Sequence, residues 1–408
     1  MTAREYPVFT VTPKAERSVR AGHPWVYGEE VTAVEGAYQN GDMVDVVSNK
    51  GRYLGTGWVN DHSKIRVRII SRNANDTFDE AFFRRRVCYA LNYRKTVMGP
   101  VDYRCCRLIF GEADQFPGLT VDRFENILVT QVLSLGMERR KDWVYRALVE
   151  LLREDGEQID AIYERNDVTI RTLEGLEQGK GFYQMEGLRT DLSGHVTITE
   201  NRIKYDVDYM EGQKTGFFLD QKYNRQAAAK LARGRRVLDC FTHTGAFALN
   251  AAAAGAEHVT AVDVSAFALE LAAENGKRNG LTNLDYKCAD VFDLLTEMAK
   301  EKKCDYDYII LDPPAFTKSR ATAKNAYHGY KEINRKAMRL LPRGGYLATC
   351  SCSHFMTDEM FRKMLQEAAL DAGVTLRQIE ARQQAPDHPI LPEVPETDYL
   401  KFYLLQVV

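Results

Sequence analysis

Apolar and basic positions alternate with period two at Ile65-Arg66-Val67-Arg68-Ile69, which predicts a strand with both arginines on one face. Val44 to Val47 alternates partly, and turn signals stand at Gly22-His23-Pro24-Trp25 and from Gly51 to Gly57. The stretch up to about residue 72 therefore reads as a small β-barrel-like module with a basic stripe, although a single such strand is more simply a solvated face. The spacing of Phe82, Phe83, Val87, Ala90 and Leu91 predicts a helix over Asp79 to Tyr93, with Arg84, Arg85 and Arg86 on its polar side. Beyond it, strands are expected at Ile127 to Val132 and from Ala161 to Glu164, with a helix at Arg140 to Leu152.

From residue 236 the pattern becomes regular. Short apolar runs at Arg236 to Asp239, Val259 to Val262, Asp307 to Leu311 and Gly345 to Cys350 predict buried strands. Helices are predicted at Thr244 to Ala254, Ala266 to Asn279 and Tyr330 to Leu341. Strands alternating with helices imply an α/β, Rossmann-like domain whose parallel sheet is covered on both faces. Ligands of such sheets bind beyond the carboxyl ends of the strands. The expected division is three-part: 1–74 a β-barrel domain, 75–195 an α+β middle domain, and 196–408 the Rossmann-like domain.

Charge and composition narrow this picture only a little. With 55 basic and 57 acidic residues the net charge is -2, so any nucleic acid must meet a local basic face. No apolar run reaches the ~20 residues of a membrane span, and the polar start lacks a signal-peptide core, so a cytoplasmic protein is expected. The eight cysteines form no paired CxxC units, so neither a zinc site nor any other metal is expected, and most should pack as small apolar residues.

The turn after the first Rossmann-like strand, Asp239-Cys240-Phe241-Thr242-His243-Thr244-Gly245, has one glycine and is not GxGxxG. A pyrophosphate needs close backbone approach at several glycines; S-adenosylmethionine does not. Asp239 is a candidate for the cofactor's ammonium, with Thr242 and Gly245 of the turn beside the nucleoside. Asp263 ends the second strand and is placed for the ribose hydroxyls, and Asp290, after a third short strand, for the adenine amino group. Each acid alone is more simply a helix cap or a surface residue; three at successive strand ends point to a cofactor.

Asp312-Pro313-Pro314-Ala315-Phe316 follows the fourth strand as a rigid lip, with Asp312 as a catalytic candidate and Pro313, Pro314 and Phe316 against the substrate base. The next strand ends in Thr349-Cys350-Ser351-Cys352-Ser353. A cysteine there suits methylation at pyrimidine carbon 5, because thiolate addition at carbon 6 makes carbon 5 nucleophilic. Two core cysteines are the plainer reading of that strand end taken alone.

Together these residues resemble the ribosomal RNA large subunit methyltransferase I family, which forms 5-methylcytosine. The likeness takes in Gly22-His23-Pro24-Trp25, Gly41-Asp42, Ile162-Tyr163-Glu164-Arg165 and Glu186-Gly187-Leu188. It continues through Lys214 to Gln221 (KTGFFLDQ), the DPPAF lip, Ser351-Cys352-Ser353, Asp387-His388-Pro389 and Tyr399-Leu400-Lys401. His243 and Ala246 depart from the family's usual cofactor loop without removing a needed group. The resemblance implies a PUA-type fold for 1–74, S-adenosylmethionine as cofactor and 23S ribosomal RNA as partner, with a flipped cytosine. It puts the nucleophile at Cys352, although Thr349-Cys350-Ser351 also fits the Thr-Cys-Ser pattern of other cytosine-5 RNA methyltransferases, so Cys350 stays an alternative. RNA contacts are expected at Arg66, Arg68, Arg84 and Arg85, and the oligomeric state stays open between monomer and homodimer. The competing readings are an N-methyltransferase acting on guanine in RNA, a non-catalytic RNA-binding assembly factor, and a small-molecule methyltransferase. The four acids argue against the second, and the basic-striped preface against the third.

Overall fold

In the computed structural model, which describes residues 5–301, 304–317 and 319–408, the amino-terminal alternation becomes a six-stranded sheet. Its strands are β1 (Val8–Val11), β2 (Trp25–Tyr27), β3 (Val31–Glu35), β4 (Met43–Ser48), β5 (Tyr53–Val59) and β6 (Ile65–Ser71), in the order β2-β6-β5-β4-β1-β3. Between β1 and β2, helix α1 (Pro13–Arg20) starts with proline at its first position and the Thr12 hydroxyl accepting the Ala15 amide. Ala15 and Val19 of α1 pack with Phe9, Val26, Val44, Val46 and Val67.

Helix α2 (Glu80–Val97) is capped by Asp79, whose side chain accepts the Phe82 amide, and it buries the five expected apolar residues. It runs one turn past Tyr93. A five-stranded sheet follows: β7 (Cys105–Phe110), β8 (Leu119–Phe124), β9 (Ile127–Val132), β10 (Ala161–Asn166) and β11 (Gly179–Phe182), ordered β11-β10-β9-β8-β7. Helices α3 (Leu135–Glu138) and α4 (Lys141–Glu154) connect β9 to β10. A two-stranded sheet, β12 (His195–Glu200) and β13 (Ile203–Asp208), comes next.

The remaining elements are α5 (Lys222–Ala229), β14 (Arg236–Cys240), α6 (Ala246–Ala253), β15 (His258–Asp263), α7 (Ala266–Arg278), β16 (Leu284–Cys288) and α8 (Val291–Glu301), then β17 (Tyr308–Leu311), α9 (Ala323–Leu340), β18 (Tyr346–Ser351), α10 (Asp358–Ala372), β19 (Leu376–Arg382) and β20 (Lys401–Val407). Seven strands form one sheet, ordered β16-β15-β14-β17-β18-β20-β19. The strands from β16 to β18 in that order are parallel; β20 is antiparallel to both neighbours. The chain steps outward from β14 to β16 and then returns to β17, so the topological switch point lies between β14 and β17. All four residues of β17 are buried, as a central parallel strand requires. Leu238, Ile309, Leu311 and Leu347 pack on one face with Leu295, Ile333 and Phe361 of α8 to α10, while Val237, Ile310 and Ala348 pack on the other with Ala227 of α5 and Phe247 of α6.

The chain separates into two compact units. Unit 1 is Met1–Ile198, Val207–Leu219 and Pro386–Thr397, and unit 2 is Thr199–Asp206, Asp220–Ala385 and Asp398–Val408. Among the described residues no helix is long and apolar enough to cross a membrane. Of the eight cysteines, all unbridged, Cys105, Cys106, Cys240 and Cys350 are buried and Cys288 is exposed.

Candidate active site

Asp239 lies within β14 and is fully buried. Its Oδ2 accepts from the Thr242 hydroxyl (2.5 Å) and the Ala248 amide (2.9 Å), while Oδ1 is buried with no hydrogen-bond partner. Burial pushes this carboxyl up to about 7, against the opposing effect of the Thr242 bond. An unpaired buried carboxylate oxygen is costly, and a cationic ligand group would remove the cost. Thr242 is thus the residue that orients Asp239. Phe241 and His243 hold left-handed backbone (φ 64° and 51°), folding the loop so that the His243 amide reaches Asp263 Oδ2 at 2.9 Å. Asp263 Oδ1 accepts the Ser265 amide at 2.9 Å, and each oxygen keeps a lone pair for a hydroxyl.

Gly245 has φ 84°, and a Cβ there would lie 2.4 Å from Leu249 and 2.9 Å from Ala272. Turn geometry and the packing of α6 on α7 therefore account for the glycine by themselves. Asp290 is exposed, and its Oδ1 accepts the Phe292 and Asp293 amides (2.8 and 3.2 Å) as a cap on α8, which leaves Oδ2 outside the cap.

Across the switch point, Asp312 follows β17. Its Oδ1 accepts the Gln221 amide nitrogen (2.9 Å), and burial with the neighbouring Asp220 charge raises its carboxyl to about 6. The Asp312 carboxylate in turn helps to push the Cys350 thiol up. Cys350 is fully buried in β18, and burial pushes its thiol well above the usual range. Cys352, one residue past β18, is half-buried. On the lip Pro313 is buried and Pro314 exposed. The Phe316 ring packs tilted against Tyr330 of α9 (centroids 4.5 Å apart) and also meets Phe241 and Phe292 (6.4 and 5.8 Å), which ties the lip to the cofactor loop.

Comparison with known proteins decides the family. Residues 9–72 match a PUA-like domain, and residues 183–405 match the S-adenosylmethionine-dependent methyltransferase model. A Pseudoalteromonas atlantica protein named ribosomal RNA large subunit methyltransferase I is 40% identical over 401 residues, covering 98% of this chain and 99% of that protein. The protein of the same name from Shewanella denitrificans is 42% identical over 399 residues, covering 97% and 98%. The chain belongs to the ribosomal RNA large subunit methyltransferase I family. It is an S-adenosylmethionine-dependent methyltransferase. Two solved structures share the fold at 22% identity: a Streptococcus mutans chain assigned as a SAM-dependent methyltransferase (TM-score 0.81) and SMU.776 complexed with SAH (TM-score 0.82). Each covers 98% of this chain and is itself covered completely.

In this member of the methyltransferase I family the candidate cofactor residues fit the chemistry of S-adenosylmethionine. The orphaned Oδ1 of Asp239 suits the ammonium of S-adenosylmethionine, and the two half-used oxygens of Asp263 suit a ribose diol. The expected RNA-contacting arginines, all in unit 1, are a different matter. Arg66 pairs with Asp61 (2.6 Å), and Arg68 with Glu174 and Glu112 (2.8 and 3.4 Å). Arg84 bridges Glu150 and Glu154 (3.0 and 2.8 Å), and Arg85 meets Asp76 (3.5 Å). Arg86 donates to the Gln115 carbonyl and stands over the Phe82 ring, and burial lowers its guanidinium to about 10. The basic stripe is thus charge-compensated, and Arg68, with 11% exposure, serves as a buried tie among carboxylates.

Several residues beside the candidate site carry no signal of their own in the periodicity. Gln221 holds Asp312 and accepts from Asn224 (2.7 Å). Asp220 accepts the Tyr399 hydroxyl (2.6 Å). Lys401 is buried beside Ser353. All lie in stretches that carry the family resemblance, KTGFFLDQ and Tyr399-Leu400-Lys401, which was the available signal. The Asp387-His388 pair of that resemblance instead belongs to unit 1, where Asp387 accepts the Arg107 amide at 2.9 Å and binds His388 at 2.9 Å.

Proposed function

We propose that this chain methylates carbon 5 of a cytosine in large-subunit ribosomal RNA through a transient covalent bond to Cys352. The observation that carries the reading is the contrast between the two cysteines of the strand end. Cys350 is fully buried, with its thiol pushed up by burial and by the Asp312 carboxylate, whereas Cys352 is half-buried just beyond the strand edge. Asp239, Thr242, Gly245, Asp263 and Asp290 hold S-adenosylmethionine, which when bound supplies an electrophilic methyl group. The chain's own residues make carbon 5 able to accept it. The Cys352 thiolate adds to carbon 6 and pushes the electron pair toward carbon 5 and N3. Asp312, whose carboxyl is raised to about 6, donates to or hydrogen-bonds N3 and so stabilises that charge. After methylation a base removes the carbon-5 proton, the ring electrons return, and Cys352 leaves as thiolate. Pro313, Pro314 and Phe316 hold the flipped base in plane.

In this reading the chain works as three parts. The regions 1–74 and 75–195 engage the RNA, and 196–408 performs the transfer in the cytoplasm. The carboxylates on Arg66, Arg84 and Arg85 give way to phosphates as RNA docks, so binding weakens with salt. The test is nucleoside analysis of unmodified 23S ribosomal RNA after incubation with the protein and isotopically methyl-labelled S-adenosylmethionine. Label in 5-methylcytidine is expected; label in a methylguanosine overturns the reading in favour of transfer to nitrogen.

A further inference from the structure

Because β20 runs antiparallel to β18, its first residue comes to the edge where the parallel strands end, and Lys401 lies directly across from Ser351. The lysine is only 5% exposed. Its Nζ donates to the carbonyls of Ser353 (2.6 Å) and Tyr399 (2.8 Å). Among the described residues no carboxylate stands within ion-pair distance of it, although an ammonium has a third N–H to give. Asp398 and Asp358 act on it only from farther off, and Asp358 is itself engaged by Tyr403 and by Arg362 (2.8 Å). The Cys352 thiol also lies in its field, after Asp398 and ahead of Asp358 in effect. Lys401 on β20, Tyr330 on α9 and Cys350 on β18 each lie in the field of Cys352, and of these three Lys401 carries the positive charge. Burial lowers the ammonium to about 8, which leaves it mostly charged at neutral pH.

We propose that Lys401 is a positioning residue for Cys352: it pins the Ser351 to Ser353 turn through the Ser353 carbonyl and supplies the positive charge that keeps the Cys352 thiol ionised. The proposal rests on the reading of Cys352 as nucleophile. The thiol proton leaves to water and Lys401 keeps all three of its own, so the pair is a thiolate and an ammonium before RNA arrives. After the base is methylated and Cys352 is expelled, the same charge receives the thiolate back. A buried lysine hydrogen-bonded only by carbonyls is then explained: with Asp398 and Asp358 beyond ion-pair distance, the cysteine adds its charge once it is ionised.

Alkylation by iodoacetamide across pH, read separately at Cys350 and Cys352 by fragment mass spectrometry, tests this on the full chain. Wild-type Cys352 should react with a midpoint below the ordinary cysteine value of about 8.5. In Lys401→Met the midpoint should rise by about one unit or more, with a roughly tenfold slower reaction at pH 7. Lys401→Arg should restore the low midpoint. Methyl transfer by Lys401→Met should fall in parallel at pH 7 and partly recover at pH 9, with S-adenosylmethionine affinity unchanged. An ordinary midpoint in the wild type overturns the proposal whether or not the variant folds, as does one midpoint shared by wild type and Lys401→Met. The nucleophile reading fails separately: Cys352→Ala would then still methylate, whatever the midpoints show.

Discussion

Charge is handled differently in the two units. In unit 1, Arg94 is fully buried and gives both terminal nitrogens to Asp114 (2.5 and 2.7 Å), with further bonds to the carbonyls of Arg107 and Asp387. Arg107 grips Asp122 with two bonds, and Asp122 also accepts the Thr215 hydroxyl. At the strand-end edge of unit 2 the polar groups are left short. Among the described residues, Asp239 Oδ1 has no hydrogen-bond partner, Asp312 accepts the Gln221 amide, and no carboxylate stands within ion-pair distance of Lys401. Unit 2 also contains a satisfied pair, Arg225 with Glu200 (2.7 and 2.8 Å), and unit 1 leaves Arg123 Nη1 buried without a partner, so what sets the edge apart is that three short groups gather there. A buried charge with a complete set of partners holds a fold together; one without waits for a ligand.

The largest effect is expected at Arg94. Arg94→Met leaves Asp114 buried and unpaired and should cost about 3–5 kcal/mol of stability in denaturant titration. Cofactor affinity, measured below the unfolding transition, should stay the same. Asp239→Asn acts the other way: stability holds or rises, because a strained buried carboxylate is removed, while calorimetry should show S-adenosylmethionine affinity falling about 10- to 100-fold. Asp239 also sets a pH dependence. A buried acid raised to about 7 binds its proton more tightly folded than unfolded, so its contribution to stability declines as pH rises from its unfolded value through 7. A cationic cofactor favours the ionised form, so affinity should rise by up to about tenfold per unit below pH 7 and level off above it. A flat profile between pH 5.5 and 7.5 removes Asp239 from the site. The smallest effect is expected at Arg84, whose exposed pairs with Glu150 and Glu154 are worth about 1 kcal/mol or less. Arg84→Gln should barely move the melting temperature yet reduce the salt slope of RNA binding by about one.

The sequence pattern reveals the parallel part of unit 2 because buried parallel strands are short contiguous apolar runs, and each predicted run is found within a residue or two of its place. Helix α9 begins seven residues before the expected Tyr330, because Ala323 to Gly329 is mostly polar and small. The β19–β20 return is less legible: Leu376 to Arg382 is a largely exposed edge strand, and nothing local tells that Lys401 will meet Ser351. The arginine stripe shows the converse limit. Period two correctly puts Arg66 and Arg68 on one face, but the carboxylates that engage Arg68 lie 44 and 106 residues away in the chain. Asp290 reads as a cofactor contact and is also a helix cap, since an aspartate ahead of an apolar helix start suits both.

The most direct measurement of the central claim uses ribosomal RNA carrying 5-fluorocytidine in place of cytidine. Fluorine does not leave as a proton does, so an enzyme that attacks carbon 6 stalls as a covalent protein–RNA complex that survives denaturing electrophoresis. The account predicts such a complex with the wild type and with Cys350→Ala, dependent on S-adenosylmethionine, and none with Cys352→Ala, which should also have lost methyl transfer to ordinary RNA. A complex lost in Cys350→Ala and retained in Cys352→Ala, or no complex from a wild type that methylates ordinary RNA, contradicts it.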